Sequence, residues 1–167
     1  MTRTIEMTPI IHSLQLSSGG VPKLAVAEGR VTVAGLTGDW QKNRKYHGGP
    51  DRALCLYAIE RIEALAAEGH AVAPGSLGEN VTVAGLDWEE VVPGVRLRLG
   101  AEVVVEIASF TKPCRTIAGC FADGRPVRVS QRHHPGWSRV YARVLREGVV
   151  RPGEPIAVAG GRTNAAK

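Results

Sequence analysis

Only 5% of this 167-residue chain is aromatic, too little for the stacking platforms on which single-stranded nucleic acids lie. Only three residues are cysteine, at positions 55, 114 and 120. An odd number at irregular spacing excludes a disulfide framework and predicts free thiols in a reducing cytoplasm. No stretch approaches the roughly 18 consecutive apolar residues of a membrane-spanning helix. The opening MTRTIEMTPIIHSLQ has no apolar core followed by a small-residue cleavage site, so no secretory leader is expected. No G-x-G-x-x-G opens a helix after a strand, which leaves the chain without a flavin or dinucleotide fingerprint. The net charge of +5 is spread along the chain with no basic tail. Such a balance suits a phosphate-bearing small molecule about as well as nucleic acid. The most basic stretch, RVSQRHHPGWSR, does not tip this toward nucleic acid, because basic residues alternate along predicted strands as solvated faces do.

Glycine and proline are plentiful instead, at 20 and 10, and they punctuate the chain into short elements. One domain spanning residues 1–167 is expected, large enough to bury a full core, with an ordered part from about 5 to 160. The terminal GRTNAAK, residues 161–167, reads as a frayed tail. Strand signals dominate. Residues 10–16 mix apolar and polar types in near alternation, and RVTVAGL and NVTVAGL read as short strands ending in glycine turns. RALCLYA, from Arg52, reads as a buried strand that Arg52 enters. VRLRLG followed by EVVVEIASF predicts a hairpin, with Val95, Leu97 and Leu99 alternating against Arg96 and Arg98. One helix is predicted over 59–69, with Ile59, Ile62, Leu65 and Ala66 on its apolar face and Gly69 as its stop. SRVYARVLREG alternates Val140, Ala142 and Val144 with Arg139, Tyr141 and Arg143, which favours a strand. Many short strands and one helix imply a mainly-β domain closed as a barrel.

Long polar loops in a compact domain are usually functional, which draws attention to residues 37–51 and 73–80. SSGGVPK reads either as an anion cradle, with Gly19, Gly20 and Lys23, or as a turn with a solvated lysine. In KYHGGPDRAL, His47 and Arg52 either grip an anion together or belong to a turn stabilised by Asp51. PGSLGEN offers several donors before a strand; Asn80 is placed to face a ligand and Glu79 to accept backbone N–H bonds. In TKPCRT, Pro113 sets the chain direction into Cys114, and Lys112 and Arg115 supply positive charge that favours the thiolate. Cys55 and Cys120 have apolar or small neighbours and read as structural. A zinc site from Cys114, Cys120, His133 and His134 is disfavoured, because adjacent side chains on an extended segment point to opposite faces.

Taken in order, SSGGVPK, GLTGDWQ, HGGPDRAL, LYAIE, PGSLGENVTVAGLDW, PGVRLRLG, TKPCRT and YARVLREG resemble the motifs of the MOSC family, the C-terminal domain of molybdenum-cofactor sulfurases. They span nearly the whole chain, residues 17–158, and the single K-P-C-R cysteine completes a highly specific set. The resemblance implies a mostly-β MOSC-type barrel and a small stand-alone bacterial protein of the cytoplasm. It implies that Cys114 is the thiol that ligates the molybdenum of a molybdopterin cofactor or carries sulfur. The cofactor's phosphate would then look to Lys23, Arg52, Lys112 and Arg115, and its pterin to His47 and the donors of PGSLGEN, among them Asn80. The pyridoxal-phosphate domain of the sulfurases and the cysteine cluster of ferredoxin-fused relatives have no counterpart in this chain. Two functions follow from the resemblance. One is an oxidoreductase that reduces N-hydroxylated compounds with electrons from a separate reductase. The other is a sulfur carrier that takes a persulfide on Cys114 from a cysteine desulfurase.

Overall fold

A computed structural model describes residues 7–40 and 49–160 of the chain. Its strands, in chain order, are β1 (Ile10–Leu16), β2 (Leu24–Val26), β3 (Gly29–Thr32), β4 (Gly35–Leu36) and β5 (Leu54–Ala58). Helix α1 (Ile59–Ala67) follows, then β6 (Val81–Ala84), β7 (Arg96–Leu99) and β8 (Val103–Phe110). The last three strands are β9 (Val140–Arg146), β10 (Gly148–Val150) and β11 (Ile156–Gly160). Short 3-10 turns occupy Pro50–Arg52, Trp88–Glu90, Arg115–Cys120 and Pro126–Val129. Among the described residues no helix is long and apolar enough to cross a membrane. The tail at 161–167 lies outside the described residues.

Period-2 patterning carries most of the main sheet. Leu97 and Leu99 on β7 are fully buried while Arg96 and Arg98 are exposed, and β8 pairs with β7 in the expected antiparallel hairpin. β9 lies on the other side of β8, then β5, whose five residues are all buried because both faces are covered. α1 packs Ile59, Ile62 and Leu65 inward and ends at Gly69, which has the left-handed φ of 98° expected of a helix stop. Ala66, expected on the same face, is exposed. The buried stripe follows i, i+3, i+6 and leaves it to one side. Arg52 does not enter β5 but closes the 3-10 turn before it.

The sheet is mixed: eight strands run in the order β11-β7-β8-β9-β5-β6-β1-β2, with β5 and β6 parallel and every other pair antiparallel. A parallel pair needs a crossover, which α1 and the loop after it provide. A second sheet has the order β10-β3-β4. The expected closed barrel is not formed. β2 pairs with residues 14–16 of β1, on the edge that a closing strand would need along its whole length. Only the start of that edge meets the other end of the sheet, where Ile11 donates to the Glu154 carbonyl at 2.9 Å and Ile156 to the Pro9 carbonyl at 2.8 Å. The sheet therefore curls until its ends touch without becoming a continuous ladder.

Gly35 locks the small sheet onto the main one. Its φ is 116°, and a Cβ there would sit 2.4 Å from the Ala53 carbonyl oxygen. At Gly69 the φ is also left-handed but a Cβ would meet nothing within 4 Å. Gly69→Ala is expected to cost about 1 kcal/mol, the left-handed penalty alone. Gly35→Ala should cost at least about twice that, because a backbone carbonyl has to move. Urea unfolding of the two variants measures this, and equal losses would mean that the Ala53 backbone yields freely.

Candidate functional site

Strand register decides which side chains share a floor. Cys55 on β5 lies opposite Tyr141 on β9, and Arg139 leaves the same face of the chain two residues before Tyr141. Loops close over this face and leave a cleft of about 240 Å³. Its floor includes Cys55, Arg139 and Tyr141, and its walls are Gly20, Val21 and Lys23, Leu77 and Gly78, and Lys112, Cys114, Thr116 and Ile117, with Trp40 also lining it.

A buried ion pair holds the first wall. Lys23 Nζ lies 2.6 Å from Asp39 Oδ2, with the two side chains only 8% and 5% exposed. Asp39 also accepts from the Ser17 N–H at 2.9 Å through Oδ1 and from Asn80 Nδ2 at 2.9 Å through Oδ2. Asn80 in turn accepts from the Cys55 N–H at 3.1 Å, so the pair is tied directly to β5. Lys23 N–H donates to the Gly75 carbonyl at 2.9 Å. The two loops approach so closely that a Cβ on Gly75 would lie 2.0 Å from the Lys23 carbonyl oxygen.

Lys112 and Cys114 line the cleft, Lys112 exposed and Cys114 half-buried at the start of the Arg115–Cys120 turn. Lys23 lines it too, but its charge is already matched by Asp39. Arg115 begins the 3-10 turn, is exposed and is not among the lining residues. Arg52 does not line the cleft; its guanidinium lies 5.4 Å from the centroid of the ring of Tyr141, which does. Asn80, expected to face a ligand, is buried, with its amide engaged by Asp39, the Gln15 carbonyl and the Cys55 N–H. It braces the wall from behind. His47 lies outside the described residues.

The three thiols have different surroundings. Burial pushes the Cys55 thiol up to about 11, so although it lines the cleft it stays protonated at neutral pH. Burial also raises Cys120, whose Sγ sits 3.6 Å from the Ser76 carbonyl oxygen as a weak donor. Burial raises the Tyr141 phenol to about 12, which keeps it a donor. Among the described residues no group of three or more His, Cys, Asp or Glu side chains could hold a metal ion. A soft metal at Cys114 would thus take a single protein thiolate and depend on its own other ligands.

No local sequence signal marks Arg139, Tyr141 or Trp40 as cleft residues. The alternation around β9 marks Arg139 and Tyr141 as solvated, and only the seating of β9 between β5 and β8, with loops above, turns that face inward. Glu79, expected to accept backbone N–H bonds, does so from Gly75, with Thr82 Oγ1 at 3.4 Å. It is fully buried, and its Oε2 has no hydrogen-bond partner among the described residues.

The MOSC domain profile matches residues 43–157. The protein YflK of Bacillus subtilis (strain 168) is 38% identical over 120 residues, covering 70% of this chain and 52% of YflK. Protein YiiM of Escherichia coli (strain K12) is 39% identical over 89 residues, covering 50% of this chain and 39% of YiiM. The crystal structure of YiiM from Geobacillus stearothermophilus superposes with a TM-score of 0.73 at 26% identity, over 91% of this chain and 75% of that one. The chain thus spans about half or less of the length of the two sequence relatives.

Removing one member of a buried ion pair strands the other, so Lys23→Met and Asp39→Leu should each lose about 3–5 kcal/mol. The double variant should lose clearly less than their sum, and additive losses in urea unfolding would show that the pair does not act as a unit. Burial holds the Glu79 carboxyl above its ordinary value of 4.5, so folding favours its protonated form. The stability this adds is present below that ordinary value and is lost as pH rises through the folded one. Glu79→Gln cannot titrate, so the stability of the wild type relative to this variant should fall as pH is raised from 4.5 toward neutrality. A constant difference across that range would mean that Glu79 ionises as it does in the unfolded chain.

Proposed function

The chain belongs to the MOSC domain family, and from that membership we propose that its cleft holds a molybdenum cofactor with the Cys114 thiolate as protein ligand to the metal. The activity proposed is reduction of N-hydroxylated compounds, such as hydroxylamino bases or amidoximes, with electrons from a separate donor protein. The observation that carries this reading is the position of Cys114, half-buried on the wall of a cleft that also contains Lys23, Lys112 and Arg139.

The residues present fit such a group in kind. Of the thiols, Cys55 is kept neutral by burial and Cys120 is turned to the Ser76 carbonyl, which leaves Cys114 as the one offered to a soft metal. Cationic side chains suit a phosphate-bearing cofactor. When bound, the cofactor supplies the two-electron chemistry that removes oxygen from an N–OH group. The chain's own part is to bind, orient and exclude water. Leu77 and Ile117 give the cleft an apolar lining. Tyr141, protonated at neutral pH, places a neutral phenol on the floor. Trp40, 45% exposed, adds an indole to the cleft lining, an aromatic surface suited to a planar group.

The test is metal and pterin content after expression in a host that makes the cofactor. Wild type is expected to carry near-stoichiometric molybdenum. Cys114→Ser should lose at least about nine-tenths of it, as expected when the only protein thiolate is removed. Cys120→Ser should keep it, since serine can still donate to Ser76. Equal retention in both variants would remove Cys114 as the ligand. No molybdenum in any of them, with a persulfide on Cys114 after incubation with a cysteine desulfurase, would replace this reading with the sulfur carrier.

A further inference from the structure

A guanidinium taken out of water is costly unless its donors find acceptors and its charge finds a partner. Arg139 is 7% exposed on the cleft floor, and these needs are only partly met. Its Nη1 donates to the Leu77 carbonyl at 2.5 Å, while its buried Nε–H has no acceptor among the described residues. Glu79 exerts an attraction through space, yet among the described residues no direct ion pair joins the two and Glu79 Oε2 has no hydrogen-bond partner.

The other cations contrast with it. Lys23 is matched one to one by Asp39 at 2.6 Å, and Lys112 stands exposed, where water screens it. Arg139 is thus the cleft's buried positive charge without a contact counter-ion among the described residues, on a planar fork whose spacing suits two oxygens of one anion.

From this we infer that Arg139 is an oxyanion-binding residue, which takes a phosphate or carboxylate group of whatever ligand occupies the cleft. An arriving oxyanion supplies the countercharge that the protein leaves incomplete. The inference shares its cleft with the proposed function but needs no cofactor, so either can fail alone.

The experiment is a titration of the cofactor-free protein with inorganic phosphate, followed through the arginine Nε–H signals by NMR, with Arg139→Lys identifying the Arg139 signal. The Arg139 signal should shift and saturate. Arg139→Lys keeps a charge opposite Glu79 but loses the fork, and should bind phosphate about ten- to a hundredfold more weakly, the loss of a charge-assisted hydrogen bond. Arg98→Met, exposed on β7 away from the cleft, should bind phosphate as the wild type does. An Arg139 signal that stays still while others saturate, or an Arg139→Lys variant with unchanged affinity, overturns the inference. Should the variant fail to fold, specific arginine labelling assigned through neighbouring backbone signals keeps the wild-type titration decisive. Repeating it with acetate separates a phosphate site from a general carboxylate site. Repeating it on cofactor-loaded protein separates the sources: a lost response assigns Arg139 to the cofactor's phosphate, and a retained one assigns it to an anionic substrate group. Failure to load cofactor would sink the proposed function and leave the phosphate titration standing.

Discussion

The Lys23–Asp39 ion pair is the joint on which the cleft depends. Each charge comes from a loop that has no regular structure to hold it, one before β2 and one after β4. Buried together, they fix those loops to each other, and Asn80 fixes them to the main sheet through the Cys55 N–H. A hydrophobic contact in the same place would have sealed the loops as well, but it would not have specified their spacing so narrowly. A pair at 2.6 Å with two further donors on the same carboxylate leaves few alternative arrangements. The glycine at 75 follows from that spacing, since the Lys23 backbone fills the volume of any Cβ there.

The same pair decides what the cleft offers a ligand. Because Asp39 neutralises Lys23, the cleft charges without a contact counter-ion among the described residues are Arg139 on the floor and Lys112 at the exposed wall. A charge at the floor orients a ligand more strongly than one at the surface, because solvent screens it less. Glu79 moderates this field from behind. Its carboxyl is held up by burial and stabilised by Arg139, so the protonation of a fully buried residue is linked to the charge the cleft presents.

Legibility in the sequence divided along the range of the interactions. The β7–β8 hairpin and α1 were readable because their patterns are local: alternation across one turn, and an apolar stripe ending at Gly69. The barrel was not, because closure depends on which strand takes the second edge of β1, and β2 takes part of it. Cys114 was marked by its neighbours Lys112, Pro113 and Arg115, and it does line the cleft. Local pattern puts Asn80 and Lys23 in the right loops, yet their partner Asp39 lies 41 and 16 residues away, and nothing local announces that they face it. Arg139 was hidden for the opposite reason. An arginine in an alternating strand is ordinarily solvated, and only the sheet order buries this one.

Three thiols in one small chain show how the fold sorts chemistry by depth. Cys55 sits on a central strand, so burial keeps it protonated even though its side reaches the cleft. Cys120 ends a 3-10 turn and lies against a carbonyl. Cys114 follows β8 by only a few residues, where Pro113 bars continuation of the ladder and turns the chain along the cleft wall. A strand position would have protected this thiol from solvent and ligand alike, and a long loop would have left it without a defined place. Between the end of β8 and a 3-10 turn it is half-buried and held, reachable from the cleft and still fixed in place.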